Sequence, residues 1–595
     1  MALVERLNLL TPKASKTRGL LLLVLAMVGI GLRVYYTPDE PREASLVLSL
    51  IHLSDWSLPQ LGALPFAEKP PLLYWLGATT ASLLGSSEAM VRLPNLAYWF
   101  LTAWAVSRMA GRVAGDLAQA VSAVLTLTLL QCYLGLIWLA TDAPLIAGVA
   151  CALCGLVELS VWSASGDDDA SARLRNARLI AYVWFYGGLL MAFFAKGFAG
   201  WLVPGAGLLG VVLLSRRAAL LTRVDFWIGA GVMLVPIALW VVWVALRADG
   251  LNELKILFWY NLAGRFSDVA APAPYHYSQG HPNTPFKYLL ELPLYVMPWC
   301  GWLFGSVRLQ LSTARSQPRD VFMRLWWGCV GLVLLLLSVA HTARGVYIAP
   351  LLPLIGVGMS VYVVRSNAVW DQWDVNFWRL NRVCLIALSS LLAAVVALIS
   401  FAPNHPVSAL WGGVAVVAWG VVLGLLLTGP AMGAAALNRQ LWSALLLYGL
   451  IAGSLYRCLN PWLSLPLMAE RVERVSHHQP LQLWQPDETT QAMASLYWPN
   501  ALDAAQTPKP QSRTLLVSLT STHWDVKRYM LELGYASADG SGRVPATHGL
   551  PALSPPEGYE RFELGCVFER PGGRTLLLWV PAEQGAAVAE RCEAK

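Results

Sequence analysis

The chain has 595 residues, of which 56% are hydrophobic and only 13% charged. Soluble domains carry about 25% charged residues, so an ordinary soluble protein is excluded and the composition is that of a polytopic membrane protein. The formal net charge of +7 does not call for nucleic acid. The Lys and Arg responsible stand in short loops between apolar runs, where they orient a protein in the bilayer.

The first apolar run, near 19–36, follows Arg6, Lys13, Lys16 and Arg18. No small-residue cleavage site follows it, so it reads as an uncleaved span and not a signal peptide. Further spans are expected near 92–107, 114–131, 142–162, 180–197, 199–215, 226–246, 288–307, 323–340, 345–364, 383–401, 408–427 and 439–457. Several approach the roughly 20 apolar residues a crossing needs. Pro71–Gly85 is short for a span, and charge decides its place. With the N-terminus cytoplasmic and 71–85 lying at the outer surface, every second loop is cytoplasmic and basic. These loops hold Arg108 and Arg112, then Arg173, Arg175 and Arg178, then Arg216, Arg217 and Arg223, and so on to Arg439. Letting 71–85 cross would put these clusters outside, against the positive-inside tendency. The expected fold class is an α-helical polytopic membrane protein of about thirteen transmembrane helices, with juxtamembrane helices on the outer face. Residues 1–457 form the membrane domain, with a functional loop at 37–91, and 458–595 form a small outer α/β domain. In that tail Arg513–Thr520, Glu560–Glu569 and Arg574–Val580 read as strands, Trp524–Leu533 as a helix and 500–511 as a linker.

Some motifs have plainer readings. Cys151-x-x-Cys154 has a redox or metal spacing, but it lies in an apolar helix, where free Cys pack as small hydrophobes. Pairing among Cys458, Cys566 and Cys592 is open to them if the tail is outside the cytoplasm. Asp167-Asp168-Asp169 sit in a cytoplasmic loop beside Arg173 and read as a solvated charge run. His477-His478 lack further ligands for a metal. Asp142 begins a helix, a position favoured for a negative charge by the helix dipole. No glycine-rich nucleotide motif stands between a strand and a helix.

Ionisable groups near apolar surroundings are costly and tend to be functional, and here they collect on one face. The first outer loop reads Asp39-Glu40-Pro41-Arg42-Glu43, then Phe66-Ala67-Glu68-Lys69 and on to Tyr74-Trp75. Other outer ends hold Asp142, Lys196, Arg265, His281, Arg344 and Tyr347. This set suits transfer of a sugar from a lipid phosphate. Lys and Arg neutralise the departing phosphate, a carboxylate takes a proton from an acceptor hydroxyl, and aromatics stack on sugar or line a prenyl groove.

These residues resemble the GT-C superfamily of lipid-dependent glycosyltransferases, above all the bacterial transferases that place 4-amino-4-deoxy-L-arabinose on lipid A. The acidic DE-x-R-x-AE element of that family is similar to Asp39–Ser45, with Ser45 in place of the last Glu. Its FEKPP-x-x-YW element resembles Phe66–Trp75, interrupted by Ala67. Its TKGF element resembles Ala195–Phe198, its RF element Arg265-Phe266 followed by His281 and Pro285–Tyr288, and its SVA…TYILP element Ser338–Pro350. The resemblance covers about residues 19–365. It implies that Asp39 is the catalytic carboxylate and that Lys69, Arg265, Lys196 and Arg344 hold the carrier phosphate. It also implies that Glu40, Arg42, Glu68, Tyr74, Asp142, His281 and Tyr347 line the cavity. The chemistry requires no cofactor. A divalent metal on Glu68 and Asp142 is the one metal site the pattern allows. The implied partners are a polyprenyl-phosphate sugar donor, lipid A or another envelope acceptor, and membrane lipid, with no nucleic acid. The implied location is a bacterial inner membrane, with the active site and C-terminal domain periplasmic. One element departs from the family: Ala343-Arg344-Gly345-Val346 stands where a Lys-Leu-Pro stretch precedes the Tyr. A protein acceptor and a lipid-linked-sugar transporter are the competing readings. A transporter would favour paired halves with interrupted helices, and no duplication is visible.

Overall fold

A computed structural model describes residues 8–62, 64–165, 172–214, 218–261, 283–284, 286–317, 320–402, 409–476, 481–498, 502–505, 514–521, 555–569 and 572–593. The membrane part is mostly helical, with one short antiparallel ladder of Gln60–Leu61 against Leu64–Pro65. The first long helix, α1 (Ser15–Gly31), is followed by two shorter ones, α2 (Asp39–His52) and α3 (Leu72–Leu84). At 13 residues, α3 is about 20 Å long at 1.5 Å per residue, short of the roughly 30 Å hydrocarbon core. The surface position expected for 71–85 fits that length.

Among the described residues, eight helices are long and apolar enough to cross a membrane, or nine if the bent pair Pro94–Leu127 and Leu130–Ile137 counts as one span. The expected thirteen segments all fall on helical chain, but some are short or broken. α1 has 17 residues, and segment 288–307 divides into Lys287–Tyr295 and Cys300–Ser316. The count of thirteen is therefore not confirmed by length and apolarity among the described residues; two of the eight helices, Arg175–Leu213 and Ala434–Ser476, run to 39 and 43 residues. Pro94–Leu127 is itself folded over at Gly115, whose φ of 80° is left-handed. A Cβ on Gly111 would lie 2.7 Å from the Gln119 amide oxygen, whereas a straight helix would separate those residues by about 12 Å.

Two helices that hold expected site residues are α4 (Asp142–Ser165) and α5 (Ala172–Lys196). A Cβ on Gly148 would fall 2.7 Å from the Ala192 nitrogen, one on Gly188 2.3 Å from the Ala152 nitrogen, and one on Gly155 2.4 Å from the Phe185 nitrogen. The partner number falls as the residue number rises, so the two helices are antiparallel with backbones in contact, as small residues allow in membranes. The start of α4 and the end of α5 consequently lie at the same end of the bundle. At that end Gly197, with φ of 62°, turns the chain back, and the Trp201 indole N–H donates to the Leu189 carbonyl at 2.8 Å. At the other end of α4, Glu158 pairs with Arg108 at 2.9 Å and Arg112 at 3.5 Å, an edge-of-bundle ion pair.

The tail folds as a five-stranded mixed sheet. Its strands are β1 (Leu481–Trp484), β2 (Leu502–Ala505), β3 (Thr514–Ser521), β4 (Tyr559–Glu569) and β5 (Gly572–Pro581), in the spatial order β2-β1-β3-β5-β4. β1 is parallel to β2 and β3, and β5 is antiparallel to β3 and β4. Side chains alternate between faces. Leu516, Leu576 and Leu578 meet Val472, Leu481 and Met493 on one face, while Leu515, Val517, Leu577 and Trp579 share the other. The three expected strands are present. The expected linker at 500–511 is corrected: its first part is the edge strand β2, joined to β1 through a helix, α6 (Glu488–Tyr497). The expected helix Trp524–Leu533, the side chains of Cys566 and Cys592, and His477-His478 lie outside the described residues.

A side chain at Gly155 would force α4 and α5 apart. Gly155→Leu is expected to cost about 1–3 kcal/mol, as overpacking does, read as a lowered thermal midpoint of the detergent-solubilised chain. An unchanged midpoint would mean that the two backbones are not in contact.

Candidate active site

The site begins with a buried carboxylate. Asp39 and Glu40 open α2, where the positive end of the helix dipole favours acids. Glu40 has no exposed surface. It accepts from Arg33, from Arg92 Nε at 3.0 Å and Nη2 at 3.3 Å, and from the backbone N–H groups of Leu139 at 2.8 Å and Tyr36 at 3.0 Å. Burial pushes its carboxyl pKa up, but the two guanidinium charges and the two N–H donors more than offset this, and the net direction is down. Arg92 also donates to the carbonyls of Arg33 and Val34, both at 3.0 Å. Glu40 was expected to line the cavity; it is instead enclosed, and it ties the end of α1, the start of α2, the turn before Pro94 and the turn before α4 into one joint.

One turn on, Glu43 is also buried, with 2% of its side chain exposed. Lys69 reaches it at 2.5 Å, the Tyr74 hydroxyl donates to it at 2.8 Å and Arg42 lies at 3.2 Å. Burial raises its pKa, yet the charges of Lys69 and Arg42, with the hydrogen bonds of Lys69 and Tyr74, bring it down to about 2. Tyr74 has no exposed surface, so it supports Glu43 and does not face a cavity. Arg42 bridges three carboxylates: Asp39 at 3.2 Å, Glu43 at 3.2 Å and Glu488 of α6 at 3.1 Å. Asp39 differs from the other two acids of this helix end: 46% of its side chain is exposed.

The second half of the site sits where α4 and α5 meet. Lys196, the last residue of α5, holds Asp142, the first of α4, at 2.5 Å. Its ammonium is 5.8 Å from the centre of the Tyr347 ring. Two contacts bring the halves together. Pro70, next to Lys69, packs 3.9 Å from where a Cβ on Gly197 would stand, and the Asn261 amide donates to the Glu68 carbonyl. Arg344 lies in a loop held at both ends. Its backbone exchanges hydrogen bonds of 3.1 Å with the Tyr288 hydroxyl, and Asn283 donates to the carbonyls of Leu337 at 2.9 Å and Ala340 at 2.8 Å. Arg265 and His281 lie outside the described residues. Among the described residues no three His, Cys, Asp or Glu gather as a metal cage. Asp142, expected to share a metal with Glu68, has Lys196 on its carboxylate.

An ammonium has three N–H donors. With one turned to a carboxylate, Lys69 and Lys196 each keep donors for an anion such as a phosphate. The arrangement thus offers one open carboxylate, Asp39, and two partly neutralised cations, Lys69 and Lys196. The sequence missed Arg33, Arg92 and Glu488. Two of these left a signal: in the topology expected from the sequence, Arg33 and Arg92 are basic residues on the outer side, where such residues are disfavoured. Glu488 left none, since it stands 446 residues from Arg42.

Two outcomes are expected. Glu40→Gln leaves two buried arginines without their counter-charge and should cost roughly 3–5 kcal/mol, seen as a large fall in thermal midpoint; a fall of a degree or less would refute the joint. Because the folded pKa of Glu43 is depressed from 4.5 to about 2, its contribution to stability is complete above pH 4.5 and lost as pH falls through about 2. Hydrogen exchange of α2, corrected for the intrinsic rate, should therefore not change between pH 8 and 5.

No protein-family model matches the chain. It is 26% identical over 390 residues to the undecaprenyl phosphate-alpha-4-amino-4-deoxy-L-arabinose arabinosyl transferase of Aeromonas hydrophila, covering 63% of this chain and 64% of that one. It is 27% identical over 386 residues to the transferase 1 of the same name from Sodalis glossinidius, covering 63% of each. The chain thus spans a little under two thirds of the length of these curated relatives. Among solved structures it matches ArnT from Cupriavidus metallidurans bound to undecaprenyl phosphate, with a TM-score of 0.65 at 18% identity, over 95% of this chain and 98% of that one. The chain therefore shares the fold of that structure, with a helical membrane part and a small C-terminal sheet domain.

Proposed function

We propose that the chain is an integral membrane glycosyltransferase that moves a sugar from an undecaprenyl-phosphate carrier to an envelope acceptor. The best-supported pair is 4-amino-4-deoxy-L-arabinose and lipid A, the sugar and carrier being those in the names of the relatives. The reaction runs on the periplasmic face of a bacterial inner membrane. Residues 1–457 carry the chemistry, chiefly in the loop 37–91, and 458–595 form a periplasmic domain.

The observation that carries this reading is the exposure of Asp39. Of three acids within five residues, Glu40 and Glu43 are enclosed and only Asp39 is open, linked through Arg42 and Glu43 to the Lys69 ammonium. In the reaction the bond between the anomeric carbon and the phosphate oxygen breaks, and the carrier leaves as an anionic phosphate. Lys69, Lys196, Arg265 and Arg344 hold that charge. A lipid A phosphate is already an anion and needs no base, so Asp39 then orients it or stabilises positive charge at the anomeric carbon. A hydroxyl acceptor would give its proton to Asp39. A protein or other glycan acceptor is the second reading, favoured by Arg344-Gly345 in place of the Lys-Leu-Pro stretch of the aminoarabinose transferases.

Asp39→Asn should reduce transfer by about 100-fold or more at unchanged thermal midpoint, assayed by mass spectrometry of lipid A and other envelope glycans from membranes. A pentosamine-sized gain on lipid A that requires Asp39 supports the first reading. An Asp39-dependent change on another glycan or protein replaces the acceptor. A folded, active Asp39→Asn enzyme removes Asp39 from the mechanism.

A further inference from the structure

The tail does more than sit beside the membrane domain. Ala492 of α6 is buried in the same cluster as Tyr35, Val47, Leu50 and Leu61, with Leu496 packed against it, so α6 lies directly on α2. Its first residue, Glu488, meets Arg42 at 3.1 Å with 21% of its side chain exposed. That end of α6 is held firmly. Asp487 caps the helix by accepting from the Thr490 N–H at 2.9 Å, and Arg574 of β5 grips the Asp487 carboxylate at 2.7 and 3.0 Å. Arg574 is 1% exposed and also donates to Ser518 of β3 at 2.6 Å. A rigid line therefore runs from the sheet through Arg574, Asp487 and Glu488 to Arg42, and from Arg42 to Asp39 and Glu43.

We infer that the C-terminal domain completes the site, with Glu488 acting as a positioning residue that sets the Arg42 guanidinium and, through it, the Asp39 carboxylate. This deepens the transferase reading and rests on it. The physical argument is competition for one guanidinium. Glu488 draws on Nη1, while Asp39 and Glu43 share Nη2. Without the Glu488 charge, no other carboxylate among the described residues pairs with Nη1, and Arg42 is free to close onto Asp39 as a paired fork, the geometry arginine and carboxylate favour. Asp39 would then be occupied by its neighbour and turned from the substrate. Glu488 itself touches no reacting atom in this scheme.

The test uses the full-length chain in lipid–detergent micelles, with undecaprenyl-phosphate aminoarabinose and lipid A as substrates. Glu488→Gln should lower kcat about tenfold, the scale of a modest misplacement of a reacting group, while the donor KM stays within about twofold and the thermal midpoint is unchanged. Glu488→Asp keeps the charge and should recover most of the loss. In an Arg42→Lys background, Glu488→Gln should bring little further loss, because the two residues act in one line. Additive losses, a wild-type kcat for Glu488→Gln, or a loss that only follows the folded fraction would each overturn the inference. Should the wild-type chain transfer no aminoarabinose, the reading of its substrates fails, and hydrogen exchange decides the inference. Amides of 43–46 should exchange several-fold faster in Glu488→Gln, with β3 unchanged. Equal exchange at 43–46 overturns it.

Discussion

The rest of the site depends on one buried carboxylate and the two guanidinium groups around it. Glu40, Arg33 and Arg92 all have fully buried side chains, so each charge has been taken out of water at a price that only close pairing and added hydrogen bonds repay. The joint admits few geometries, because the carboxylate must satisfy donors from three separate stretches of chain, at 33–36, 92 and 139. Once Glu40 is fixed, the helical spacing fixes its neighbours. Glu43, three residues on, turns inward to Lys69 and Tyr74, and Asp39, at the first position, remains at the surface. The exposure of Asp39 is thus a consequence of what its neighbours are doing.

A second constraint acts at the α4–α5 pair. Glycines at the contact let two backbones approach closely, and their antiparallel register puts Asp142 and Lys196 side by side although 54 residues separate them. Each terminus also suits its charge, an acid at the start of one helix and a base at the end of the other. The two cations of the site are therefore supplied by different means. Lys69 comes from a loop latched to Glu43, and Lys196 from a helix end latched to Asp142. Pro70 against Gly197 joins them.

Much of this could be read in the sequence, and the failures have physical causes. Apolar runs marked the helices because a bilayer imposes a long, uniform signal. The same signal separated 92–107 from 114–131, and the chain folds over where those runs meet, at Gly115. Asp39, Lys69, Lys196 and Asp142 stood out as charges expected on one face, and the structure pairs Lys69 with Glu43 and Lys196 with Asp142. Glu40 was found too but given the wrong surroundings, because a sequence shows that an acid is present, not whether arginines enclose it. Tyr74 was misjudged for the same reason. In the tail the long strands β3, β4 and β5 were legible by alternation. The four-residue β1 and β2 were not, being too short for a period to register, and β2 is rich in Ala.

The Arg574–Asp487 contact has a consequence for the order in which the protein is made. The cap of α6 draws on a strand close to the C-terminal end of the chain, whereas the acids it helps to arrange belong to the first loop to emerge. While synthesis is under way, the membrane helices and the first loop are present, but the clamp on their outer surface is not. Ribosomes add residues at about 5–20 per second, so this interval lasts on the order of half a minute or more. A nascent or truncated chain ending before β5 would be inserted and helical, with the Arg42 network left unfinished. If the C-terminal domain completes the site, competence waits until β5 has been translated.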